Sequence, residues 1–155
     1  MLSWKNSFIK NYKLITILVM SFLYIFIGAK HFTDPQYFVN ITPPQVQHKL
    51  FAVYFTGVLE ILGGLLILSK KTRKSGAYTL ILLLIIVFPA NIYLYLSEIP
   101  QELLGISKTQ ALTRMPFQAP LILLAYWHSK ENHPKWVAYL SLLVFPPTII
   151  YFLSI

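Results

Sequence analysis

Five apolar stretches, separated by more polar segments, limit the fold that this chain can adopt. A helix needs about 20 mainly apolar residues to cross the hydrocarbon core of a bilayer, with a range of about 17 to 25. The stretches cover residues 14–29, 50–68, 77–96, 115–128 and 136–155, and the fourth reaches spanning length only with its polar flanks. The pattern therefore predicts an all-α fold, a polytopic membrane helical bundle that forms a single domain over residues 1–155.

The composition excludes several other classes of protein. Of the 155 residues 56% are hydrophobic and 12% charged, against roughly 25% charged in a typical soluble domain. A soluble core of this size could not be covered by so few polar side chains. The chain has no cysteine, which excludes structural disulfides, thiolate metal sites and dithiol redox chemistry in this chain.

Basic residues are distributed unevenly between the two sets of connecting segments, and this predicts the orientation. With a cytoplasmic N-terminus, the inner segments hold nine lysine or arginine residues and the outer segments four. The inner set is Lys5, Lys10, Lys13, Lys70, Lys71, Arg73, Lys74, Lys130 and Lys135, and the outer set is Lys30, Lys49, Lys108 and Arg114. The excess predicts an N-terminus inside and a C-terminus outside, in a bacterial inner (cell) membrane. The net charge of +8 then reflects contact with anionic lipid, and nucleic acid is not a predicted partner.

The N-terminal stretch and two of the connections carry further information. Lys5, Lys10 and Lys13 precede the first stretch as in a signal peptide, but bulky residues at 25–27, where a cleavage site needs small ones, predict an uncleaved helix. Segments 30–49 and 97–114 exceed the 2 to 8 residues that suffice between antiparallel helices. They are predicted to cover the outer end of the bundle.

One carboxylate lies in the middle of a predicted span. Glu60 follows Gly57 and precedes Gly64 at spacings that place all three on one helix face. A charge at the bilayer centre costs about 2.5 to 3.5 kcal/mol on insertion scales, and small residues let another helix approach closely. Glu60 is therefore predicted to point into the bundle.

Other polar side chains fall in the outer half of the predicted bundle. They are Lys30 and His31 at the end of the first span, Asn91 in the third, and Arg114 and Gln118 at the start of the fourth. With Glu60 they form the predicted ligand-binding set, in which the carboxylate should pair with the guanidinium of Arg114. The alternative is structural: interhelical hydrogen bonds for Glu60 and Asn91, and headgroup contacts for His31 and Arg114. No metal site is predicted, since His128 and His133 lack further ligands.

Several short motifs, taken in order, resemble the DoxX-like family of small integral membrane proteins. They are Gly28-Ala29-Lys30-His31-Phe32, Pro35 and Phe38 with Ile41-Thr42-Pro43, Gly57-Val58-Leu59-Glu60-Ile61-Leu62-Gly63-Gly64, Phe88-Pro89-Ala90-Asn91-Ile92-Tyr93 and Arg114-Met115-Pro116-Phe117-Gln118. The resemblance covers residues 14–128 and implies a four-helix core, here with a fifth C-terminal transmembrane helix. It also implies an association with membrane oxidoreductase systems, such as thiosulfate:quinone oxidoreductase, or a role in assembling other membrane proteins.

Two functions are compatible with these observations. The first is a membrane subunit or binding protein that takes a quinone-like small molecule or cofactor into a polar pocket in the outer half of the bundle. The second is a structural, chaperone-like protein without a ligand. A transporter is disfavoured, because no inverted repeat or polar stripe through the inner half is present. The predicted partners are the lipid bilayer, a membrane protein and a second copy of the chain; no reaction or catalytic residue is assigned.

Overall fold

The structure is a computed structural model that describes residues 2–132 and 134–153, and these residues are mostly helical, without a β-strand. Long apolar segments favour helices because a helix satisfies its backbone hydrogen bonds within the segment itself. The helices are α1 (Leu2–Thr33), α2 (Pro35–Ile41), α3 (Lys49–Leu68), α4 (Arg73–Leu96), α5 (Glu98–Leu104), α6 (Lys108–Arg114), α7 (Gln118–Ser129) and α8 (Lys135–Leu153). The predicted all-α class is confirmed.

Five of these helices pack side by side, in the order α1, α3, α4, α7 and α8. Successive neighbours are antiparallel, so the bundle has two ends. We call them the Thr33 end, where α1 finishes, and the Ser69 end, where α3 finishes. The side chain of Arg73 closes the turn at the Ser69 end, since its Nε donates to the carbonyl of Ile67 at 2.9 Å.

Three helical segments are long and apolar enough to cross a membrane: Ser7–Thr33, Lys49–Leu68 and Arg73–Leu96. A shorter apolar segment covers Lys135–Tyr151. Large apolar side chains lie on the outside of the bundle, including Phe51 with 71% of its surface exposed and Leu143 with 72%. Such exposure is unfavourable in water and favourable in lipid, so these helices are compatible with a location in a membrane.

The helix of the fourth apolar stretch differs most from the predicted span. The stretch at 115–128 contains α7, which begins only at Gln118 and has 12 residues. A separate helix, α6, ends at Arg114, and the intervening turn contains Pro116, which has no N–H to continue a helix. Twelve residues extend about 18 Å, which is shorter than the roughly 30 Å hydrocarbon core of a bilayer.

The two long connections fold into short helices that lie together at the Thr33 end. Ile41 from α2, Leu94 from α4 and Ala111 from α6 form a small buried cluster there. The side chain of Gln101 on α5 donates to the carbonyl of Leu94 at 2.8 Å, and Gly105 ends α5 with a φ of 63° that favours glycine. We call α2, α5 and α6 together the cap.

Candidate functional site

A buried histidine and a buried glutamate meet where α1 passes α3. His31 Nδ1 lies 3.2 Å from Glu60 Oε2, and both side chains are almost entirely buried. The same Nδ1 donates to the carbonyl of Ile27 at 3.0 Å, which fixes the ring orientation. The Nδ1–H of His31 is therefore held by its own helix, and Glu60 Oε2 lies close to this nitrogen without accepting a hydrogen bond from it.

Glycine at Gly57 makes this contact sterically feasible. A Cβ at that position would lie 2.6 Å from the Cβ of His31. A Cβ at Gly28 would likewise lie 2.8 Å from the carbonyl oxygen of Gly57. The predicted small face of α3 is thus the surface against which α1 packs, and it brings Glu60 next to His31.

The cap reaches this pair through two aromatic residues of α2. The ring of Phe38 stacks on the imidazole of His31, with centroids 3.5 Å apart and an interplanar angle of 21°. Tyr37 packs edge-on against Phe38, and its hydroxyl accepts a hydrogen bond from Arg114 Nη1 at 2.9 Å. The predicted pairing of Glu60 with Arg114 is therefore wrong, because Tyr37 and Phe38 lie between the two charges.

Contacts between α1 and α3 define the depth of Glu60 in the bundle. Ser21 Oγ donates to the carbonyl of Gly64 at 2.7 Å, and Gly28 faces Gly57. Both contacts fit one antiparallel register, in which each step along α1 toward the Thr33 end matches one step back along α3. In this register the backbone of Glu60 lies opposite position 25 of α1, and its Cβ lies 2.9 Å from where a Cβ at Gly28 would be, so Glu60 spans positions 25 to 28.

A contact between α1 and α7 defines the depth of Gln118 in the same way. Thr16 Oγ1 lies 2.9 Å from His128 Nε2 near the Ser69 end. Gln118 is ten residues along α7 from His128, which places it opposite position 26 of α1. Glu60 and Gln118 therefore lie within about two residues of the same depth, or about 3 Å.

Three buried side-chain oxygens at this depth have no hydrogen-bond partner among the described residues. They belong to Tyr24, Glu60 and Gln118, and each residue has at most 8% of its surface exposed. We call these three residues the Glu60 layer. Because buried polar groups are almost always hydrogen-bonded, three unpaired oxygens at one depth indicate a place for further hydrogen bonds.

A groove between α4 and α7 reaches the Glu60 layer from outside the bundle. It encloses about 300 Å³ and is lined by Leu84, Ile85, Phe88, Met115, Gln118, Ala119 and Ile122. Ile85 and Phe88 are exposed on the outer surface, so the groove faces the region that lipid would occupy. Gln118 is the single strongly polar residue of this lining. A larger, shallower depression of about 800 Å³ near His48 contains none of the predicted site residues.

Two of the predicted site residues lie apart from these features. Lys30 is exposed and its Nζ lies 5.3 Å from the ring centroid of Phe26, on the outer surface of α1. Asn91 is half-buried on α4, and its side chain makes no hydrogen bond to the described residues. The structure therefore brings together His31 and Glu60, connects Arg114 to them through Tyr37 and Phe38, and places Gln118 at the same depth.

Sequence reasoning missed the aromatic residues and a second polar cluster. Tyr24 and Tyr37 resemble ordinary packing residues in the sequence, and Phe38 belongs to the motifs of the resemblance but was given no role at the site. At the Ser69 end, the Thr16–His128 contact lies beside Lys13, whose Nζ donates to the carbonyl of Lys130.

The described part of the chain contains no group of three His, Cys, Asp or Glu side chains arranged to hold a metal ion. His133 lies outside the described residues.

Comparison with known proteins gives a family but no activity. No curated protein and no solved structure matches the chain. The family described as "Domain of unknown function (DUF8561)" matches residues 20–129, a range that ends with α7 and contains every candidate site residue. Because the match covers well over half of the 155 residues, the chain belongs to the DUF8561 family.

Proposed function

We propose that the chain is an integral protein of a bacterial inner membrane in which α1, α3, α4 and α7 form a four-helix core and α8 is an added fifth helix. The family match ends at residue 129, before α8 begins, which supports this division. The Ser69 end carries the exposed Lys70, Lys71 and Lys74, so it faces the cytoplasm, with the cap outside. The proposal includes a relationship between this chain and the DoxX-like proteins that its motifs resemble.

The function that the geometry supports best is binding of an amphipathic, quinone-like small molecule. The observation that carries this proposal is the buried, unpaired Oε1 of Gln118 in a lipid-facing groove of about 300 Å³. Pockets for small ligands are mostly apolar, start at about 300 Å³, and contain a few polar groups that orient the ligand. An alkyl tail would lie against the outer surface, and the head group would enter at Gln118.

The chemistry of the Glu60 layer suits such a head group. A carboxamide can donate a hydrogen bond to a quinone carbonyl and accept one from a quinol hydroxyl. The His31–Glu60 pair lies at the same depth and offers a group that can hold or release a proton. Electrons would come from a membrane protein partner, in keeping with a subunit of an oxidoreductase system.

Equilibrium binding tests this proposal. Quenching of the intrinsic tryptophan fluorescence by a decyl-substituted benzoquinone is measured on the protein in detergent. Gln118→Leu keeps the volume but removes the amide, and it should weaken binding by about tenfold, the effect of losing one hydrogen bond. The matched control is Gln36→Leu, on the exposed surface of α2, which should bind like the wild type. Equal affinity of both variants would refute a role for Gln118.

A structural or assembly role is the second candidate, and one observation favours it. Phe38 stacks directly on His31, so the side of the pair that faces the cap is filled by the protein's own side chains. If the role is structural, Glu60→Gln should lower the melting temperature in detergent. No quinone or quinol should raise the melting temperature of the wild-type protein. A rise in melting temperature with ligand would support the binding function instead.

A further inference from the structure

The turn between α6 and α7 forms part of the wall of the groove. Met115 at the start of the turn and Gln118 directly after it both line the groove, and Phe117 lies between them in the chain. The amides of Met115 and Gln118 each donate to a carbonyl three residues back, at 3.2 Å, and Pro116 has no N–H to donate. Because these bonds do not continue either helix through the turn, its position depends also on the contacts of its side chains.

A tyrosine of α8 contacts both ends of this turn. The ring of Tyr151 stacks on that of Phe117, with centroids 4.1 Å apart and an interplanar angle of 4°. The hydroxyl of Tyr151 lies 3.3 Å from Oγ1 of Thr113, which belongs to the last turn of α6. One side chain of α8 therefore joins the end of α6 to the residue that precedes α7.

The cap provides a second attachment, at a greater distance from the groove. Arg114 donates to the hydroxyl of Tyr37 at 2.9 Å, so the turn is held from α2 as well as from α8. Arg114 lies four residues before Gln118 in the chain, whereas Phe117 directly precedes it. Of the two tyrosines, Tyr151 thus has the more direct connection to the polar group of the groove.

The contact between Tyr151 and Phe117 is suited to holding a backbone in place. Stacked aromatic rings prefer particular offsets and angles, so each ring restricts the plane of the other. Because Phe117 is bonded to Gln118, a shift of its ring would move the amide relative to Leu84 and Phe88 on the opposite wall of the groove. A hydrogen bond from that amide to a ligand weakens outside donor–acceptor distances of about 2.7 to 3.2 Å.

We infer that Tyr151 is a positioning residue of the groove: its stack on Phe117 holds the turn between α6 and α7 where Gln118 meets the head group of a ligand. This inference rests on the proposed function, because it concerns the same groove. It gives α8 a part in ligand binding, although α8 begins after the last residue of the family match.

Binding of the decyl-substituted benzoquinone to the full chain in detergent tests the inference. Tyr151→Leu should weaken binding by about fivefold to tenfold, approaching the effect of losing the hydrogen bond at Gln118. Tyr151→Phe keeps the stacked ring and should bind within about twofold of the wild type. The matched control is Tyr139→Leu, the same substitution in α8 at a residue with 54% of its surface exposed, which should bind like the wild type.

A double variant distinguishes positioning of Gln118 from a general loss of packing. Tyr151→Leu/Gln118→Leu should bind within about twofold of Gln118→Leu alone, because both substitutions remove the same hydrogen bond and their effects do not add. A loss of packing that acts elsewhere would multiply the two effects. Phe117→Leu removes the stack from its other side and should reproduce the effect of Tyr151→Leu. Circular dichroism checks the fold of each variant, and Phe117→Leu replaces Tyr151→Leu if the latter does not fold.

The outcomes separate this inference from the proposed function. Wild-type affinity in Tyr151→Leu and Phe117→Leu, with binding weakened in Gln118→Leu, would overturn the positioning role and leave the binding function standing. Multiplied losses in the double variant, or an equal loss in Tyr139→Leu, would also overturn it. If the wild type does not bind the probe, or Gln118→Leu binds as the wild type does, the inference fails together with the role of Gln118.

Discussion

His31 Nδ1 on α1 lies 3.2 Å from Glu60 Oε2 on α3, and the close approach of the two helices at Gly28 and Gly57 makes this distance possible. The pair joins the first two helices of the core in a region where an isolated charge would be costly. It also connects the core to the cap, because Phe38 stacks on the same imidazole. The stability of the fold and the chemistry of the site therefore depend on the same contact.

Removing one member of the pair should cost more than removing both. His31→Leu leaves Glu60 buried without its polar neighbour, and an unsatisfied buried polar group costs about 1 to 3 kcal/mol. The double variant His31→Leu/Glu60→Leu replaces the pair by apolar groups and should recover a large part of that loss. Unfolding in detergent, measured for all four members of the cycle, checks this. Strictly additive losses would contradict the pairing.

The glycine at the helix crossing should not tolerate a methyl group. A Cβ at Gly57 would lie 2.6 Å from that of His31, so Gly57→Ala should destabilise the bundle by about 1 to 3 kcal/mol through overpacking. The neighbouring Val58 is exposed, and Val58→Ala serves as the control with little expected effect. Thermal unfolding in detergent compares the two, and similar melting temperatures would argue against the close approach of α1 and α3.

The hydrogen bond between Arg114 and Tyr37 should hold the cap in place. Tyr37→Phe removes the hydroxyl that accepts from Nη1 of Arg114, and a hydrogen bond to a charged group contributes about 1.5 to 3 kcal/mol. Hydrogen exchange measured by mass spectrometry should become faster in α2 and remain unchanged in α3. Tyr78→Phe, at an exposed position of α4, should leave both rates as in the wild type. If hydrogen exchange in α2 is unchanged in Tyr37→Phe, the hydrogen bond does not hold the cap in place.

Labelling of introduced cysteines can test the orientation of the chain in the membrane. No native thiol would react, because the chain contains no cysteine. Single substitutions Ile99→Cys in the cap, Ser75→Cys at the start of α4 and Asn132→Cys between α7 and α8 place thiols at exposed positions. A maleimide that cannot cross membranes should label position 99 in intact cells, and positions 75 and 132 only after permeabilisation. Labelling of position 132 from outside would mean that the 12-residue α7 does not cross the membrane.

The sequence predicted much of the fold because lipid imposes simple requirements on length and polarity. The helices α1, α3 and α4 contain the first three apolar runs, and each includes a segment long and apolar enough to cross a membrane. The burial of Glu60 followed from the cost of a mid-span charge and from the small residues beside it. The length of α7 was less predictable, because a turn at Pro116 separates it from α6.

The partner of Glu60 could not be predicted in the same way. Opposite charge favoured Arg114, but the position of Arg114 depends on how the cap folds over the Thr33 end. The stacking of Phe38 on His31 and the bond from Arg114 to Tyr37 are contacts between segments distant in sequence. Aromatic residues are frequent in this chain, so nothing in the spacing of Tyr37 and Phe38 distinguished them from packing residues.

Photoaffinity labelling tests the central claim most directly, since it reports where a ligand binds. Membranes that contain the protein are irradiated with an alkyl hydroquinone carrying a diazirine, and the labelled peptides are identified by mass spectrometry. The account predicts labelling within residues 84–88 and 115–122, suppressed by excess unlabelled hydroquinone and lost in Gln118→Leu. Labelling spread over the exposed apolar surfaces around Phe51 and Leu143, and resistant to competition, would contradict it.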